Sequence, residues 1–169
     1  MTADELKAIA GRIGYEWAMF LGACETDWHR HAPDALREPL RVVHLHARTE
    51  LVWLHARGLY DFVFRRSRRK GDLYIGEFLE GNAAIDWKAR DAADICPSVD
   101  SNIERANTKL FHPTMVRLTD MRGLPDYITV RNELRLAYSK AYRLMIGEKM
   151  KLFRDGLNDE WDVAADVLD

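Results

Sequence analysis

Apolar residues recur every three or four positions through the first part of the chain. The segment opens with Thr2-x-x-Glu5, which is the pattern of a helical capping box. The apolar positions then continue at helical spacing up to Trp28. This pattern predicts a long amphipathic helix from about Ala3 to Trp28.

The same periodicity predicts two more long helices, at about Leu40–Arg66 and Tyr127–Phe153. Two shorter helices are predicted in the segments DLYIGEFLEG and NAAIDWKARDAAD. Pro97 breaks the chain, and Ser98 can cap a further helix to about Phe111, where Pro113 interferes with continuation. No stretch alternates apolar and polar residues as a strand does. We therefore expect an all-α fold, a helical bundle of three or more long helices with short connecting helices.

The C-terminal segment differs from the rest in charge. Residues 155–169 contain six acidic residues and no basic one, yet apolar residues still recur there at helical spacing. We expect a bundle domain over residues 1–154 and an acidic C-terminal arm over 155–169 that forms a short docking helix. The apolar positions of this arm are Leu157, Trp161, Ala164 and Leu168.

Composition and charge narrow the classes of protein that fit. The 169 residues are 47% hydrophobic and carry a net charge of −2, which is typical of a globular domain. This charge excludes a strongly basic surface for nucleic acid, although a local basic patch stays open. No apolar run approaches 18 residues and the N-terminus lacks the pattern of a signal peptide, so we expect a cytoplasmic protein without a membrane segment.

Metal and redox chemistry find little support in the sequence. Cys24 and Cys96 show no CxxC spacing, so we expect free thiols and no cofactor. His44 and His55 are predicted on one outer face of the second helix with Arg41 and Arg48, but roughly 16 Å apart, too far to chelate one metal. The loop pair His29 and His31 has no evident ligand partner, and no metal site is predicted. The basic run at 65–70 is either a solvated helix end or a phosphate-binding patch.

The second helix carries an unusual polar set. On a helical wheel, four polar residues lie inside the apolar arc: His46, Glu50, Arg57 and Asp61. His46 and Glu50 are four residues apart, as are Arg57 and Asp61, so each pair can make contact. One interpretation is a buried network that fixes helix register. The other is a polar cleft in which Arg57 binds an anion and His46 or Glu50 handles protons. From their place inside the apolar arc we expect Arg57 and Asp61 to be largely buried and within salt-bridge distance, with Glu50 or His46 nearby.

Two segments of the chain resemble a group of small, uncharacterised bacterial helical proteins. The stretch ELVWLHARGLYDF (residues 50–62) is similar to their HAR-NL-x-DF segment, and NTKLFHPTMVR (residues 107–117) to their K-x-x-x-H-x-T segment. The resemblance implies a helical fold and carries no function. The matching positions are His55, Ala56, Arg57, Leu59, Asp61 and Phe62 in the first segment and Lys109, His112, Thr114 and Arg117 in the second.

More distantly, the chain resembles the HEPN superfamily of helical bundles, many of which are ribonucleases and many of which are dimeric. Their motif is an arginine, usually followed by a polar residue, and a histidine a few residues later. Arg105 and His112 match it, with six residues between them. Two departures exist: Ala106 replaces the polar residue, and Pro113 disfavours helical backbone at His112.

The resemblance implies a candidate site and two functions of different classes. His112 and Arg105 would be catalytic, moving a proton and stabilising charge on a phosphate, and an anion would bind Arg57, Lys109 and Arg117. The first function is therefore an RNA-acting, ribonuclease-type protein. The second is a non-catalytic bundle that binds a protein partner or a second copy of itself, with His112 and Arg105 in ordinary structural positions.

Overall fold

The computed structural model of the protein describes residues 1–25, 38–64, 73–106 and 126–168, with the backbone only at 38–46 and 104–105. Over these ranges the chain forms α-helices and two single-turn 3-10 helices, so the predicted all-α bundle is confirmed. No helix within these ranges is long and apolar enough to cross a membrane. The α-helices are α1 (Ala3–Glu25), α2 (Glu38–Phe64), α3 (Gly81–Ala89), α4 (Pro97–Ala106), α5 (Tyr127–Tyr142), α6 (Gly147–Leu157) and α7 (Ala164–Leu168).

Helix α1 begins as the capping box predicts. The Thr2 backbone N–H donates to the Glu5 carboxylate at 2.7 Å, and the Glu5 N–H donates to the Thr2 hydroxyl at 3.2 Å. Two backbone donors that the first turn leaves unpaired are thereby satisfied. The apolar stripe of α1 is buried from Leu6 to Ala23, and it packs against α6 and α2.

Helices α1 and α6 approach each other closely because small residues meet between them. A Cβ atom added at Gly156 would lie 2.4 Å from the Ala10 Cβ and 2.9 Å from the Lys7 carbonyl oxygen. One added at Gly14 would lie 2.9 Å from the Leu157 carbonyl oxygen. Real Cβ atoms do not occupy such positions, so the glycines allow the two backbones to touch.

Helix α5 lies alongside α2 and runs in the same direction. Near its start, the Tyr127 hydroxyl is 2.9 Å from the Thr49 hydroxyl. Three turns later, the Tyr138 hydroxyl donates to the Leu59 carbonyl at 3.1 Å. Helix α2 is therefore covered by α1 and also by α5.

The predicted helix from Tyr127 to Phe153 is wrong in its continuity, because the structure divides it into α5 and α6. The N–H groups of Leu144 and Met145 bond to carbonyls three residues back, which closes α5 with a tight turn. Gly147 then adopts φ of +56°, a conformation that favours glycine. The break lets α6 turn onto α1.

Helix α4 also begins differently from the prediction. Pro97 does not break the chain; it occupies the first helical position, where its missing N–H costs nothing. Ser98 is not the cap, because it lies inside the first turn. The cap comes instead from α5: the Glu133 carboxylate accepts hydrogen bonds from the Ser98 and Val99 N–H groups at 3.0 to 3.1 Å. This carboxylate fastens the start of α4 to α5.

The acidic C-terminal segment packs on the bundle in part. The predicted boundary at residue 155 falls inside α6, which continues to Leu157. Helix α7 contacts α5 and α6, and its Val167 and Leu168 are buried. Trp161 precedes α7 and remains 41% exposed, while its ring makes an edge contact with Tyr15.

Candidate functional site

Those polar residues of α2 that the sequence predicts to be buried and whose side chains the structure describes lie near the surface. The Arg57 side chain is 46% exposed and the Asp61 side chain 34%, so the prediction that they are buried is wrong. The two do pair, with the Arg57 Nε 3.7 Å from the Asp61 Oδ2. Glu50 is partly exposed, and the side chain of His46 lies outside the described part of the chain. Glu50, Arg57 and Asp61 therefore form an accessible polar strip on the outer side of α2. Their exposure does not support a buried network among them.

These residues are exposed because of the way in which neighbouring helices cover α2. Because both α1 and α5 pack on it, its buried face is wide, and the wheel drawn from the sequence centres the apolar arc wrongly. Leu54, an apolar residue one turn before Arg57, is 50% exposed and lies on the same side of α2. Most of the buried side chains follow a regular helical stripe instead, with Trp53 and Phe64 also buried beside it: Arg48, Val52, His55, Ala56, Leu59, Phe62 and Val63.

Arg48, which the sequence places on an outer face, is a buried residue. Its Nε donates to the Ala23 carbonyl at 2.8 Å and its Nη2 to the Cys24 carbonyl at 2.9 Å. These are carbonyls of the last turn of α1, which have no partner within the helix. The guanidinium also stacks 4.9 Å from the centre of the Tyr127 ring. Arg48 therefore caps α1 from α2, which is a structural role.

His55 is also buried, against the prediction of an outer face. Its Nδ1 lies 2.7 Å from the Glu16 Oε2, and the two side chains are 8% and 17% exposed. The other Glu16 oxygen lies 3.3 Å from the Arg12 Nη2 near the surface. Arg12, Glu16 and His55 thus form a chain of polar contacts from solvent into the core. The seven-residue spacing of Arg48 and His55, with Val52 and Leu59 between and after, is the signal that could have revealed this face.

Two thiols, of Cys24 and Cys96, and the hydroxyl of Tyr60 are poor nucleophiles because their pKa values are raised. Burial raises the pKa of Cys24 to about 11, although the nearby Arg131 and Arg48 oppose the shift. Burial and the neighbouring Glu133 carboxylate raise the pKa of Cys96 further. The pKa of Tyr60 is also raised, by burial and by its hydrogen bond to Asp100. All three groups stay protonated near neutral pH, and neither cysteine forms a disulfide.

The residues predicted to be catalytic lie mostly outside the described ranges. His112, Lys109 and Arg117 belong to residues 107–125, and Arg105 is described by its backbone only, in the last turn of α4. Ala106, the departure from the HEPN motif, is 1% exposed and belongs to the core. The basic run at 65–70 and the histidines at 29 and 31 are likewise outside the described residues.

The two segments that carry the resemblance belong to, or follow in the chain, two helices that are in contact. The first lies within α2, and the second begins at residue 107, directly after α4 ends. Helices α2 and α4 are in contact, and the Tyr60 hydroxyl donates to the Asp100 carboxylate between them. Among the described residues, no group of histidine, cysteine and carboxylate side chains could hold a metal ion.

A groove lies on the surface of α1, away from the contact between α2 and α4. This groove of about 460 Å³ runs between the first half of α1 and the turn after α6. Tyr15 links it to the core, because its ring makes an edge contact with His55 at 6.2 Å. None of the residues that the sequence predicts to be site residues lines this groove. Its lining residues are Asp4, Lys7, Ala8, Gly11, Arg12, Tyr15, Asp159, Glu160 and Trp161.

Comparison with known proteins gives no relative for the chain. No family model, no curated protein and no solved structure matches it.

Proposed function

We propose that the protein is an RNA-acting helical bundle of the ribonuclease type, with His112 and Arg105 as its catalytic residues. In this mechanism the His112 imidazole takes the proton of an RNA 2′-hydroxyl as that oxygen attacks the adjacent phosphorus. The bond from phosphorus to the 5′-oxygen breaks, and this oxygen leaves as a 5′-hydroxyl with a proton from water, which yields a 2′,3′-cyclic phosphate. The Arg105 guanidinium stabilises the negative charge that develops on the phosphate. Arg57, Lys109 and Arg117 bind the neighbouring phosphates.

The accessibility of Arg57 is the observation that carries this proposal. A buried Arg57–Asp61 pair would serve the packing of α2, whereas a guanidinium that is 46% exposed can reach an anion in solvent. It lies on a helix that contacts α4, and α4 leads directly into the segment that contains His112. This arrangement supports a shared phosphate-binding surface.

The test is cleavage of a mixed pool of unstructured RNA by wild type and by the variants His112→Ala and Arg105→Ala. We expect wild-type cleavage that both variants lose, by a factor of about 100 or more. Arg143→Ala is the matched control, because Arg143 is exposed at the end of α5, and it should cleave like wild type. A folded wild type with neither cleavage nor salt-sensitive RNA binding would contradict the proposal.

A second candidate function, self-association or protein binding without catalysis, rests on a different observation. Ile128 and Leu136 lie about two turns apart on α5 and are 64% and 46% exposed. Exposed apolar side chains on one helix favour contact with another protein surface. Sedimentation of wild type and of Leu136→Asp separates the cases, since a dimer through α5 should dissociate in the variant.

A further inference from the structure

The groove between α1 and the turn after α6 has two aromatic walls. The rings of Tyr15 and Trp161 are 5.6 Å apart and inclined by 68°. Trp161 is 41% exposed, whereas Trp17, Trp53 and Trp87 are at most 2% exposed. A tryptophan left this open in a chain that buries its other described tryptophans offers an apolar face to a ligand.

The turn that carries Trp161 is held in place by contacts at both ends. The Asn158 side-chain oxygen accepts a hydrogen bond from the Ala164 N–H at 2.7 Å, which closes the turn. The Lys7 ammonium is 2.9 Å from the Asp159 carboxylate, which fastens the turn to α1. Asp162 adopts φ of +46°, a left-handed conformation that non-glycine residues seldom adopt. Trp161 is therefore positioned before any ligand arrives, which lowers the entropic cost of binding.

The charges of the groove favour a cation. Three carboxylates line it, from Asp4, Asp159 and Glu160, against the two cations Lys7 and Arg12. Both cations are already engaged, Lys7 with Asp159 and Arg12 with Glu16. A phosphate in the groove would meet three carboxylates and two cations that are already paired, so a nucleic acid is the poorer match.

Arg12 shows how this lining holds a guanidinium. Its guanidinium carbon lies 5.1 Å from the centre of the Tyr15 ring, while its Nη2 contacts the Glu16 carboxylate. This is the combination of an aromatic face and a carboxylate that recognises a cation. Trp161 and Glu160 offer the same combination on the other wall, and no cation from the described part of the chain stacks on the Trp161 ring.

We propose that this groove binds an arginine side chain of a basic peptide segment in a protein partner. The guanidinium stacks on the exposed face of Trp161, and the carboxylates of Glu160 and Asp4 neutralise its charge. The residues that line this groove include none of those proposed to act on RNA, so either site can exist without the other.

The experiment titrates the full chain with an acetylated and amidated arginine–glycine–arginine peptide, measured by calorimetry at low salt. The matched probe is the same peptide with citrulline in place of arginine, which keeps the shape and removes the charge. We expect binding of the arginine peptide that the citrulline peptide loses by about tenfold or more. Equal binding of both peptides, or no binding of either, would overturn the proposal.

Variants locate the site. Trp161→Ala should weaken binding about tenfold, whereas Trp161→Phe, which keeps an aromatic face, should retain most of it. Glu160→Gln should weaken it about threefold and flatten its salt dependence. Ile85→Ala, at an exposed position of α3 to which no binding role is assigned, is the control and should bind like wild type. Unchanged binding by a folded Trp161→Ala protein would refute the site, and Trp161-dependent binding of a short RNA in place of the peptide would assign the groove to nucleic acid.

Discussion

Both sides of α2 carry polar side chains that make specific contacts, but protein surrounds those on one side and solvent reaches those on the other. On the inner side, Arg48 and His55 are buried against α1 and α5 and bond to the Ala23 and Cys24 carbonyls and to Glu16. On the outer strip, Arg57 and Asp61 pair across one turn in contact with solvent. The spacing of charges along a helix therefore predicts which side chains meet, but not whether water is excluded from them.

This difference determines how much each group contributes to stability. A buried guanidinium that donates to two backbone carbonyls leaves those carbonyls unpaired when it is removed. A surface ion pair exchanges its contact for water and contributes little. Substitutions on the two sides of α2 should therefore separate clearly.

The largest effect is expected from Arg48→Ala. The loss of two charged hydrogen bonds to the last turn of α1 should lower the free energy of unfolding by roughly 3 kcal/mol. Urea denaturation followed by circular dichroism measures this change. Arg48→Lys retains a cation, but a single ammonium cannot reproduce both bonds. The free energy of unfolding of this variant should therefore lie between those of wild type and Arg48→Ala. A loss below about 0.5 kcal/mol for Arg48→Ala would show that the cap of α1 does not form in solution.

A smaller effect is expected from the contact between Glu16 and His55. A double-mutant cycle with Glu16→Ala, His55→Ala and the double variant should give a coupling of about 1–2 kcal/mol, because the hydrogen bond is largely shielded from water. The same denaturation measurement applies. Arg12→Ala, which removes the exposed end of this chain of contacts, should show weaker coupling to His55. Additive single effects would mean that Glu16 and His55 do not bond in the native state.

The smallest effect is expected from Arg57→Ala, at most about 0.5–1 kcal/mol, since the pair with Asp61 is exposed. A buried pair would have cost several times more, roughly 3–5 kcal/mol. Thermal and urea unfolding of this variant beside Arg48→Ala give the comparison directly. If the two variants lose the same stability, water does not reach the outer strip of α2 in solution.

Much of the fold could be predicted from local pattern. The Thr2–Glu5 capping box and the spacing of apolar residues in α1 act within a few residues, so the sequence carries them completely. The division between α5 and α6 could not be predicted this way, because the apolar stripe continues across Gly147. A tight turn and the left-handed Gly147 close α5 there, and the contact of α6 with α1, between distant segments, accompanies this break.

The site was harder to predict for the same reason. The wheel of α2 contains apolar residues on most sides, so it does not show which side solvent reaches. Only the joint presence of α1 and α5 makes Arg48 and His55 inner residues and Leu54 an outer one. The groove at Trp161 depends on α1 and on the turn after α6, and no pattern within either segment indicates that they meet.

The glycine-mediated contact between α1 and α6 has a consequence for biosynthesis. Close to 120 residues separate the end of α1 from the start of α6. At typical elongation rates, α1 waits on the order of ten seconds before its main packing partner leaves the ribosome. During that interval Ala10 and Gly14, which the finished fold buries against Gly156 and Leu157, lack this cover, whereas Trp17 can already pack on Tyr138 of α5. A nascent chain halted before residue 147 would thus present an apolar helix to chaperones, and completion of α6 would end that exposure.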